Sequence, residues 1–315
     1  MILFSAKISK KHHERLQADY SDLPFRFCNN MNEAKDHLSE AEVLVTYGSD
    51  LTPELIAKAA NLKWIMVMSA GMDKMPFKVI KEKDIVVTNV RGIHKIPMAE
   101  YAIGMLLQVY KQAKIIIKNE LETSWDPSVK MQEITGKTLL VLGTGAIGQE
   151  VARLAKAFNM KTIGVSRSGR SVEYFDENHS TADLKELLPQ TDIIVSVLPS
   201  TEETKGLFTY EYFRLLPAHA VFLNMGRGDL VKSEDMLKAV REEEISHIVL
   251  DVFEEEPLPE GHPLWKEENV TITPHLSGLS KHYTPRALEI FKENLDKYLD
   301  GSTDFVNKID LTRGY

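Results

Sequence analysis

The segment Leu139-Leu140-Val141-Leu142-Gly143-Thr144-Gly145-Ala146-Ile147-Gly148 joins a buried-strand pattern to a glycine-rich turn. A helix-forming segment, 149–158, follows it directly. Gly143 permits a tight strand-to-helix turn, Gly145 lets the backbone approach a pyrophosphate, and Gly148 lets helix and strand pack closely. The N-terminus of the helix offers unpaired N–H groups and partial positive charge to phosphates. The strand before the glycines and the helix after them predict a dinucleotide-binding loop.

Length and charge set the class of protein. The chain has 315 residues, enough for two domains with large cores. Apolar residues make up 43% and charged residues 27%, a balance typical of a globular protein. The net charge of −8 argues against a nucleic-acid partner or an anionic membrane surface, because no basic face dominates.

Cysteine content and hydropathy bear on the compartment. The single cysteine, Cys28, excludes an intramolecular disulfide and fits a reducing environment. No apolar run approaches the roughly 18 residues that a membrane-spanning helix needs. We interpret Lys10-Lys11-His12-His13 as a solvated helix start, and we predict no metal site. These features predict a cytoplasmic protein without a membrane partner.

The first hundred residues alternate short apolar runs with helical periodicity, which predicts a parallel sheet covered on both faces. Thr52 is a predicted N-cap, and Pro97 is expected in the first turn of one long helix over 98–121. The predicted strands are 2–6, 41–46, 64–68 and 85–88, and the other predicted helices are 11–20 and 53–60.

A second, more regular βα series begins near Gly136 and suits a dinucleotide fold. Ser233 is a plausible N-cap, and a final amphipathic helix over 284–299 ends before Gly301. Six strands are predicted at 138–142, 162–166, 192–198, 220–224, 247–252 and 270–273, with helices at 183–188, 211–216 and 234–243 between them.

The chain is therefore predicted to be an α/β protein with two Rossmann-like or flavodoxin-like parallel-sheet domains and a cleft between them. The final helix is expected to return to the first domain. The predicted boundaries are 1–96 plus 285–315 for a flavodoxin-like substrate domain and 97–284 for the dinucleotide-binding domain.

The identity of the dinucleotide depends on the end of the second strand of this fold. In NAD-selective folds an acidic residue about twenty positions after the glycines binds the ribose hydroxyls. Here that segment is Ser166-Arg167-Ser168, without an acid. A guanidinium flanked by hydroxyls suits a 2′-phosphate, which favours NADP(H) over NAD(H). The alternative is that Arg167 and Arg170 are exposed loop charges beneath the adenine.

Two polar segments follow predicted strands. Arg227 lies between glycines in Asn224-Met225-Gly226-Arg227-Gly228, where ligands of open α/β sheets bind. Its guanidinium is suited to hold a carboxylate or polarise a carbonyl, although a structural ion pair is the alternative. Glu256 ends an acidic triplet that would usually be a solvated loop. Pro257 restricts the residue before it, so Glu256 is expected to keep a fixed direction.

His275 follows the last predicted strand in Thr273-Pro274-His275-Leu276-Ser277-Gly278. Of ten histidines, it alone lies between a rigid proline and a turn of small residues after a strong strand pattern. A nearby carboxylate favours the imidazolium form, which can donate a proton to a ketone oxygen near neutral pH.

These segments together resemble the D-isomer-specific 2-hydroxyacid dehydrogenases. The resemblance extends upstream to Ser69-Ala70-Gly71-Met72-Asp73 and Thr88-Asn89-Val90, and so covers nearly the whole chain. It implies that Arg227 orients the substrate carboxylate and carbonyl, that Glu256 supports the histidine, and that His275 is the acid/base. It also implies backbone binding of the substrate carboxylate at Ala70 and Gly71.

The resemblance further implies contacts with the cofactor. The implied contact residues are Ala146, Ile147, Arg167, Leu198, Pro199, Met225 and Asp251. The segment Ser166-Arg167-Ser168 departs from the many family members that carry an acid there. Arg91 stands where many relatives have proline, and its role is not interpretable from sequence.

The hypothesis is NADPH-dependent reduction of a small 2-keto acid to a D-2-hydroxy acid. The alternative is a non-catalytic, dinucleotide-sensing binding protein of the corepressor type on the same fold. A homodimer is expected from the family, with the apolar stretch Tyr101 to Val109 as a candidate surface.

Overall fold

The strands and helices are given by a computed structural model that describes residues 1–69, 71–72 and 75–311. Two units are separately packed: Met1–Ile93 with Lys281–Tyr315, and His94–Ser280. Each unit contains one sheet, and within the described residues the strand pairs of both sheets are parallel. The predicted class, two parallel-sheet α/β units, is confirmed.

The strands of the described residues lie close to the apolar runs of the sequence. In chain order they are β1 (Ile2–Phe4), β2 (Phe25–Phe27), β3 (Val43–Thr46), β4 (Trp64–Val67), β5 (Val86–Asn89), β6 (Thr138–Leu142), β7 (Lys161–Ser166), β8 (Glu177–Ser180), β9 (Ile193–Ser196), β10 (Val221–Asn224), β11 (His247–Leu250) and β12 (Val270–Ile272).

The α-helices alternate with these strands, and several single 3₁₀ turns accompany them. In chain order the helices are α1 (Lys10–Asp19), α2 (Met31–Ala34), α3 (Pro53–Lys58), α4 (Phe77–Glu82), α5 (Lys95–Tyr110), α6 (Ala113–Leu121), α7 (Ala146–Ala157), α8 (Leu184–Leu187), α9 (Tyr210–Phe213), α10 (Ser233–Arg241) and α11 (Tyr283–Leu299).

The first unit has the strand order β2-β1-β3-β4-β5. Alternate side chains of β4 serve opposite faces, with Ile65 and Val67 in one apolar cluster and Trp64 and Met66 in another. Both faces are therefore buried, as expected of a parallel sheet. The last helix, α11, returns to this unit, and its Phe291 ring stacks on Trp64 at 5.7 Å between centroids.

The second unit has the strand order β12-β11-β10-β9-β6-β7-β8. β6 lies between β7 and β9, so the chain first adds strands on one side of β6 and then on the other. The carboxyl end of β6 is a topological switch point, where open α/β sheets bind ligands. Gly143 immediately follows that end.

Two strands were not predicted, and both are at sheet edges. β2 is only partly buried, and β8 consists of four half-buried polar residues. An edge strand gains its backbone hydrogen bonds from one neighbour and needs no continuous apolar run. The prediction of six strands in the second unit was therefore wrong: the described sheet has seven.

The single helix predicted over 98–121 was wrong. Gln112 adopts a left-handed conformation (φ 54°, ψ 38°) that separates α5 from α6. α5 buries a face against the sheet, whereas α6 has no buried residue. Pro97 lies in the first turn of α5, as predicted. The packing of α5 against the sheet ends at Gln112. Because apolar periodicity does not show where such packing ends, the sequence did not reveal the break between α5 and α6.

The helix caps gave mixed results. Thr52 caps α3 as predicted, because its Oγ1 accepts a hydrogen bond from the Leu55 N–H at 3.4 Å. Ser233 was a wrong N-cap prediction, since Lys232 occupies the N-cap position and Ser233 is the first residue of α10. Its backbone N–H instead donates to Glu254 Oε2 at 2.7 Å.

The apolar stretch Tyr101 to Val109 is mostly packed against the core of its own unit. Its outer apolar side chains are half-buried, and its role as a dimer surface stays a prediction. Apolar side chains with larger exposed fractions occur in α6 and in the segment after it. The most exposed apolar side chains there are Ile117 (52%), Leu121 (80%), Trp125 (95%) and Met131 (56%).

Candidate active site

The glycine-rich loop has the geometry expected for a dinucleotide. Gly143 has φ 104°, which favours glycine, and Gly148 lies so close to the loop that a Cβ there would be 1.9 Å from the Gly143 oxygen. Gly145 precedes the first turn of α7, and a Cβ on it would meet no atom within 4 Å. The open space beside Gly145 and the N-terminus of α7 fit a pyrophosphate.

The remaining residues implied as cofactor contacts differ in exposure. Ala146 is exposed and Ile147 half-buried at the start of α7. Leu198 packs partly against the core, and the carbonyl of Pro199 accepts a hydrogen bond from Thr204 Oγ1 at 2.7 Å. Met225 is 2% exposed, so its side chain belongs to the core.

The segment after β7 is a built turn with an exposed guanidinium. Ser166 Oγ accepts a hydrogen bond from the Gly169 N–H at 3.2 Å, and Arg167 and Ser168 are exposed. A Cβ at Gly169 would be 2.9 Å from the backbone nitrogen of Ser180, so β8 supports this turn. The pKa of the exposed Glu203 is lowered by a hydrogen bond with Thr201 and, less strongly, by the charge of Arg167. Arg167 is therefore an exposed cation at the carboxyl end of β7.

The glycines around Arg227 make room for neighbouring backbone. A Cβ at Gly226 would be 2.5 Å from the Leu198 oxygen, and one at Gly228 would be 1.9 Å from the carbonyl carbon of Phe253. The sequence analysis did not predict this packing. Arg227 itself is half-buried, and its Nη1 donates to the Gly226 carbonyl at 2.8 Å. The loop thus holds the guanidinium at the carboxyl end of β10.

His275 and Glu256 form a hydrogen-bonded pair. The Nδ1 atom of His275 lies 2.8 Å from Glu256 Oε2, and Glu256 Oε1 accepts from the Phe253 N–H at 3.0 Å. An ionised carboxylate only accepts, so Nδ1 carries the proton of this bond. The side chains are 51% and 37% exposed, respectively. This arrangement leaves Nε2 of His275 to exchange a proton with a ligand.

Asp251 organises the loop that carries His275. Its side chain is 0% exposed and accepts from the backbone N–H groups of Leu276 and Ser277, each at 2.9 Å. Thr273 Oγ1 completes the set at 2.6 Å. Sequence reasoning assigned Asp251 to the cofactor, and the structure gives its carboxylate three contacts within the protein.

Sequence reasoning missed three polar residues of this region: His94, Tyr101 and Thr273. His94 lies beside Gly278, where a Cβ would be 3.0 Å from its Cδ2. Burial lowers the pKa of His94, and the charge of Arg227 lowers it further, which favours the neutral imidazole. Tyr101 Oη contacts Thr273 Oγ1 at 2.6 Å. No sequence signal joins residues so far apart.

The predicted carboxylate-binding loop belongs to the first unit. Ala70 lies outside the described residues, so that part of the prediction has no structural account. The Gly71 N–H donates to Ser69 Oγ at 3.3 Å. Met72 is buried in the core of the first unit. Arg91 has a backbone role, because its N–H donates to Asn89 Oδ1 at 3.0 Å.

Across residues 1–69, 71–72 and 75–311, no group of three or more His, Cys, Asp or Glu side chains is placed to hold a metal ion. Within the same ranges, no helix has the length and apolar content required to span a membrane.

Comparisons with known proteins identify the family of the chain. The family model "D-isomer specific 2-hydroxyacid dehydrogenase, NAD binding domain" matches residues 103–277. A glyoxylate reductase of Aeropyrum pernix is 33% identical over 271 residues, which are 83% of this chain and 81% of that protein.

Solved structures of the same family are similar over the whole chain. A D-isomer specific 2-hydroxyacid dehydrogenase family protein of Aeromonas salmonicida has a TM-score of 0.87 and 37% identity, covering 98% of this chain and 99% of that one. An NADPH-dependent glyoxylate/hydroxypyruvate reductase of Sinorhizobium meliloti, in complex with NADP and sulfate, has a TM-score of 0.84 and 25% identity, covering 100% and 99%. The chain is a member of the D-isomer specific 2-hydroxyacid dehydrogenase family and an NAD(P)-dependent oxidoreductase.

Proposed function

We propose that this protein reduces a small 2-keto acid to the D-2-hydroxy acid, with NADPH as the preferred cofactor and His275 as the acid/base. The observation that carries the proposal is the 2.8 Å bond between His275 Nδ1 and Glu256 Oε2. It orients one histidine of the dinucleotide-binding unit through a carboxylate, the arrangement that general acid–base catalysis uses.

The proton of the reaction is assigned to Nε2 of His275. When bound, the nicotinamide supplies a hydride to the carbonyl carbon of the keto acid. The carbonyl oxygen then gains the proton that Nε2 releases, and the imidazole becomes neutral. The carboxylate of Glu256 accepts the Nδ1 proton and so fixes the orientation of the ring during the transfer. In the oxidative direction the neutral Nε2 accepts the same proton.

Substrate orientation is assigned to Arg227. A guanidinium presents paired N–H donors that match a carboxylate or a carboxylate and its neighbouring carbonyl. The backbone at Gly226 and Gly228 packs against Leu198 and Phe253, which limits movement of the loop. Backbone N–H groups at Ala70 and Gly71 stay a prediction for binding the carboxylate.

Cofactor binding is assigned to the Gly143–Gly148 loop, with the 2′-phosphate of NADP near Ser166, Arg167 and Ser168. No acidic residue occurs in that turn, and the exposed guanidinium can form charge-assisted hydrogen bonds with a phosphate. The similar reductase of Sinorhizobium meliloti is NADPH-dependent, which supports the preference.

The substrate class is assigned from the chemistry of the site and from relatives. Arg227 and His275 require a carboxylate next to a carbonyl and make no demand on a long side chain. The similar proteins are named as reductases of glyoxylate or of glyoxylate and hydroxypyruvate. We therefore expect short 2-keto acids such as these to be reduced.

We also propose a homodimer in the cytoplasm. A second copy of the chain would cover Leu121 and Trp125, which are 80% and 95% exposed. Large exposed apolar patches mark association surfaces. The reducing compartment is inferred from the lone, free Cys28.

The experiment compares two histidines that are similarly exposed and similarly paired. His275→Ala is expected to lower kcat for glyoxylate by at least about 100-fold, with NADPH affinity unchanged. His219 is the matched control, because its Nε2 contacts Asp192 Oδ1 at 2.7 Å and it is 55% exposed. It precedes β10 and so lies at the amino ends of the parallel strands, whereas His275 follows β12 at their carboxyl ends. His219→Ala should retain turnover to within about twofold.

Measurements of NADPH absorbance against glyoxylate, hydroxypyruvate and pyruvate provide the rates, and fluorescence titration provides the NADPH affinity. Near-normal turnover by His275→Ala would overturn the role of this histidine. An equal loss of turnover in His275→Ala and His219→Ala would show that the loss is not specific to the proposed site. A wild-type protein that reduces none of the three acids would overturn the substrate class.

A further inference from the structure

A chain of hydrogen bonds leads from α5 to the loop that carries His275. Tyr101 Oη lies 2.6 Å from Thr273 Oγ1, which in turn lies 2.6 Å from Asp251 Oδ1. Asp251 then accepts from the two backbone N–H groups that directly follow His275, those of Leu276 and Ser277. All of these residues belong to the second unit.

The direction of this chain follows from proton counting. A carboxylate only accepts, so the single hydroxyl proton of Thr273 goes to Asp251. The Thr273 oxygen must then accept the proton of Tyr101. Burial raises the pKa of Tyr101 to about 12, and the charge of Asp251 adds to that shift. Tyr101 is therefore a protonated donor throughout the physiological range.

The His275 loop requires such support. His275 has φ 54°, a left-handed conformation that is unfavourable for a residue with a side chain. Glu256 holds its ring, whereas Asp251 holds the backbone on its C-terminal side. Thr273 lies two residues before His275, and the hydrogen bonds of its side chain hold the backbone on the N-terminal side. The chain therefore acts on the position of His275 without touching its imidazole.

We propose that Tyr101 and Thr273 are positioning residues, which hold Asp251 and, through it, the His275 loop. This inference rests on the proposed acid/base role of His275. A small displacement of an acid/base group lowers the rate of proton transfer more than it lowers binding. The loss should therefore appear in kcat, with little change in KM or in NADPH affinity.

The chain offers a matched control for Tyr101. Tyr110 lies on the same helix and is 4% exposed, and its hydroxyl has no hydrogen-bond partner in the described part of the chain. Tyr101→Phe and Tyr110→Phe remove the same atom. Only the first removes a donor to Thr273.

The experiment uses Tyr101→Phe, Tyr110→Phe, Thr273→Val and Thr273→Ser in the full-length protein. Thr273→Val removes the hydroxyl at nearly constant volume, and Thr273→Ser keeps it. We expect kcat to fall about tenfold in Tyr101→Phe and Thr273→Val, with KM and NADPH affinity within about threefold of wild type. Thr273→Ser should recover most of the rate, and Tyr110→Phe should match wild type.

Hydrogen exchange gives a readout that does not depend on activity. Amides of the segment 273–279 should exchange faster in Tyr101→Phe and Thr273→Val than in Tyr110→Phe, because the loop opens more often. Unchanged exchange and unchanged kcat in both variants would overturn the inference. So would a loss that appears equally in Tyr110→Phe, or a loss confined to KM.

The two proposals fail in different ways. If His275→Ala is inactive while Tyr101→Phe and Thr273→Val keep full kcat, the positioning inference alone is wrong. If His275→Ala is fully active, the acid/base assignment is wrong, and exchange of 273–279 still decides whether the chain holds the loop.

Discussion

Replacement by alanine should have different effects at two glycines of the same loop, one on stability and the other on dinucleotide binding. At Gly148 a Cβ would lie 1.9 Å from the Gly143 oxygen, where ordinary contact begins near 3.4 Å. At Gly145 a Cβ would meet nothing within 4 Å, and φ of −76° is open to alanine. Gly148→Ala is thus expected to destabilise the protein, and Gly145→Ala to weaken dinucleotide binding.

The size of each effect follows from these distances. Relief of the Gly148 clash requires α7 and the loop to separate by about 1.5 Å, a degree of overpacking that costs at least about 1–3 kcal/mol. For a unit of this size, about 3 kcal/mol lowers Tm by roughly 6–12 °C. Gly145→Ala should change stability by less than about 1 kcal/mol, because it only exchanges one N-cap residue for another. Its methyl group occupies the space assigned to the pyrophosphate, so Kd for NADPH should rise at least about tenfold.

Thermal unfolding without cofactor, followed by circular dichroism, measures the first effect, and fluorescence titration with NADPH measures the second. The reasoning is refuted if Gly145→Ala lowers Tm as much as Gly148→Ala. It is equally refuted if Gly145→Ala binds NADPH as the wild type does.

Three further predictions concern other parts of the chain. Arg167→Asp should shift the ratio of kcat/KM for NADPH over NADH toward NADH by at least about tenfold, because it replaces a phosphate donor by an acceptor for ribose hydroxyls; an unchanged ratio would contradict the assignment. Burial, aided by the charge of Lys114, lowers the pKa of His247 to about 4, so the folded state keeps this imidazole neutral while the unfolded chain takes up a proton near pH 6.5. Stability should therefore fall by up to about 3 kcal/mol between pH 6.5 and 4. Urea unfolding of His247→Gln should show a shallower pH dependence, and a slope identical to that of the wild type would contradict this role of His247. Sedimentation velocity should show a dimer for the wild type and a smaller species for Leu121→Lys with Trp125→Lys, since both side chains are exposed; a monomeric wild type would contradict the proposed dimer.

The interior of both sheets was predictable from local sequence. Apolar runs such as 64–67 and 139–142 are long enough to bury both faces of a strand, and the glycine pattern after β6 marks the turn. The edge strand β8 was not predictable, because its four polar residues depend on β7 for hydrogen bonds. The break at Gln112 was also missed, because it occurs where packing against the sheet ends.

Of the candidate site, sequence reasoning identified the residue types but not all of their contacts. Arg227, Glu256 and His275 each follow a predicted strand, and parallel strands bring such residues to one edge of a sheet. The packing of the glycines beside Arg227 was not predictable, because the backbone they accommodate comes from distant segments.

The amino-acid sequence alone determined the α/β class, the dinucleotide loop and the residue types at the strand ends, because these depend on short-range patterns of apolar residues and glycine. Only the tertiary structure decided that His275 meets Glu256, that Asp251 binds the backbone after His275, and that Tyr101 reaches Thr273 across 172 residues of chain. Hydrogen bonds between such distant residues exist only once the sheet has aligned its strands, so no local pattern encodes them.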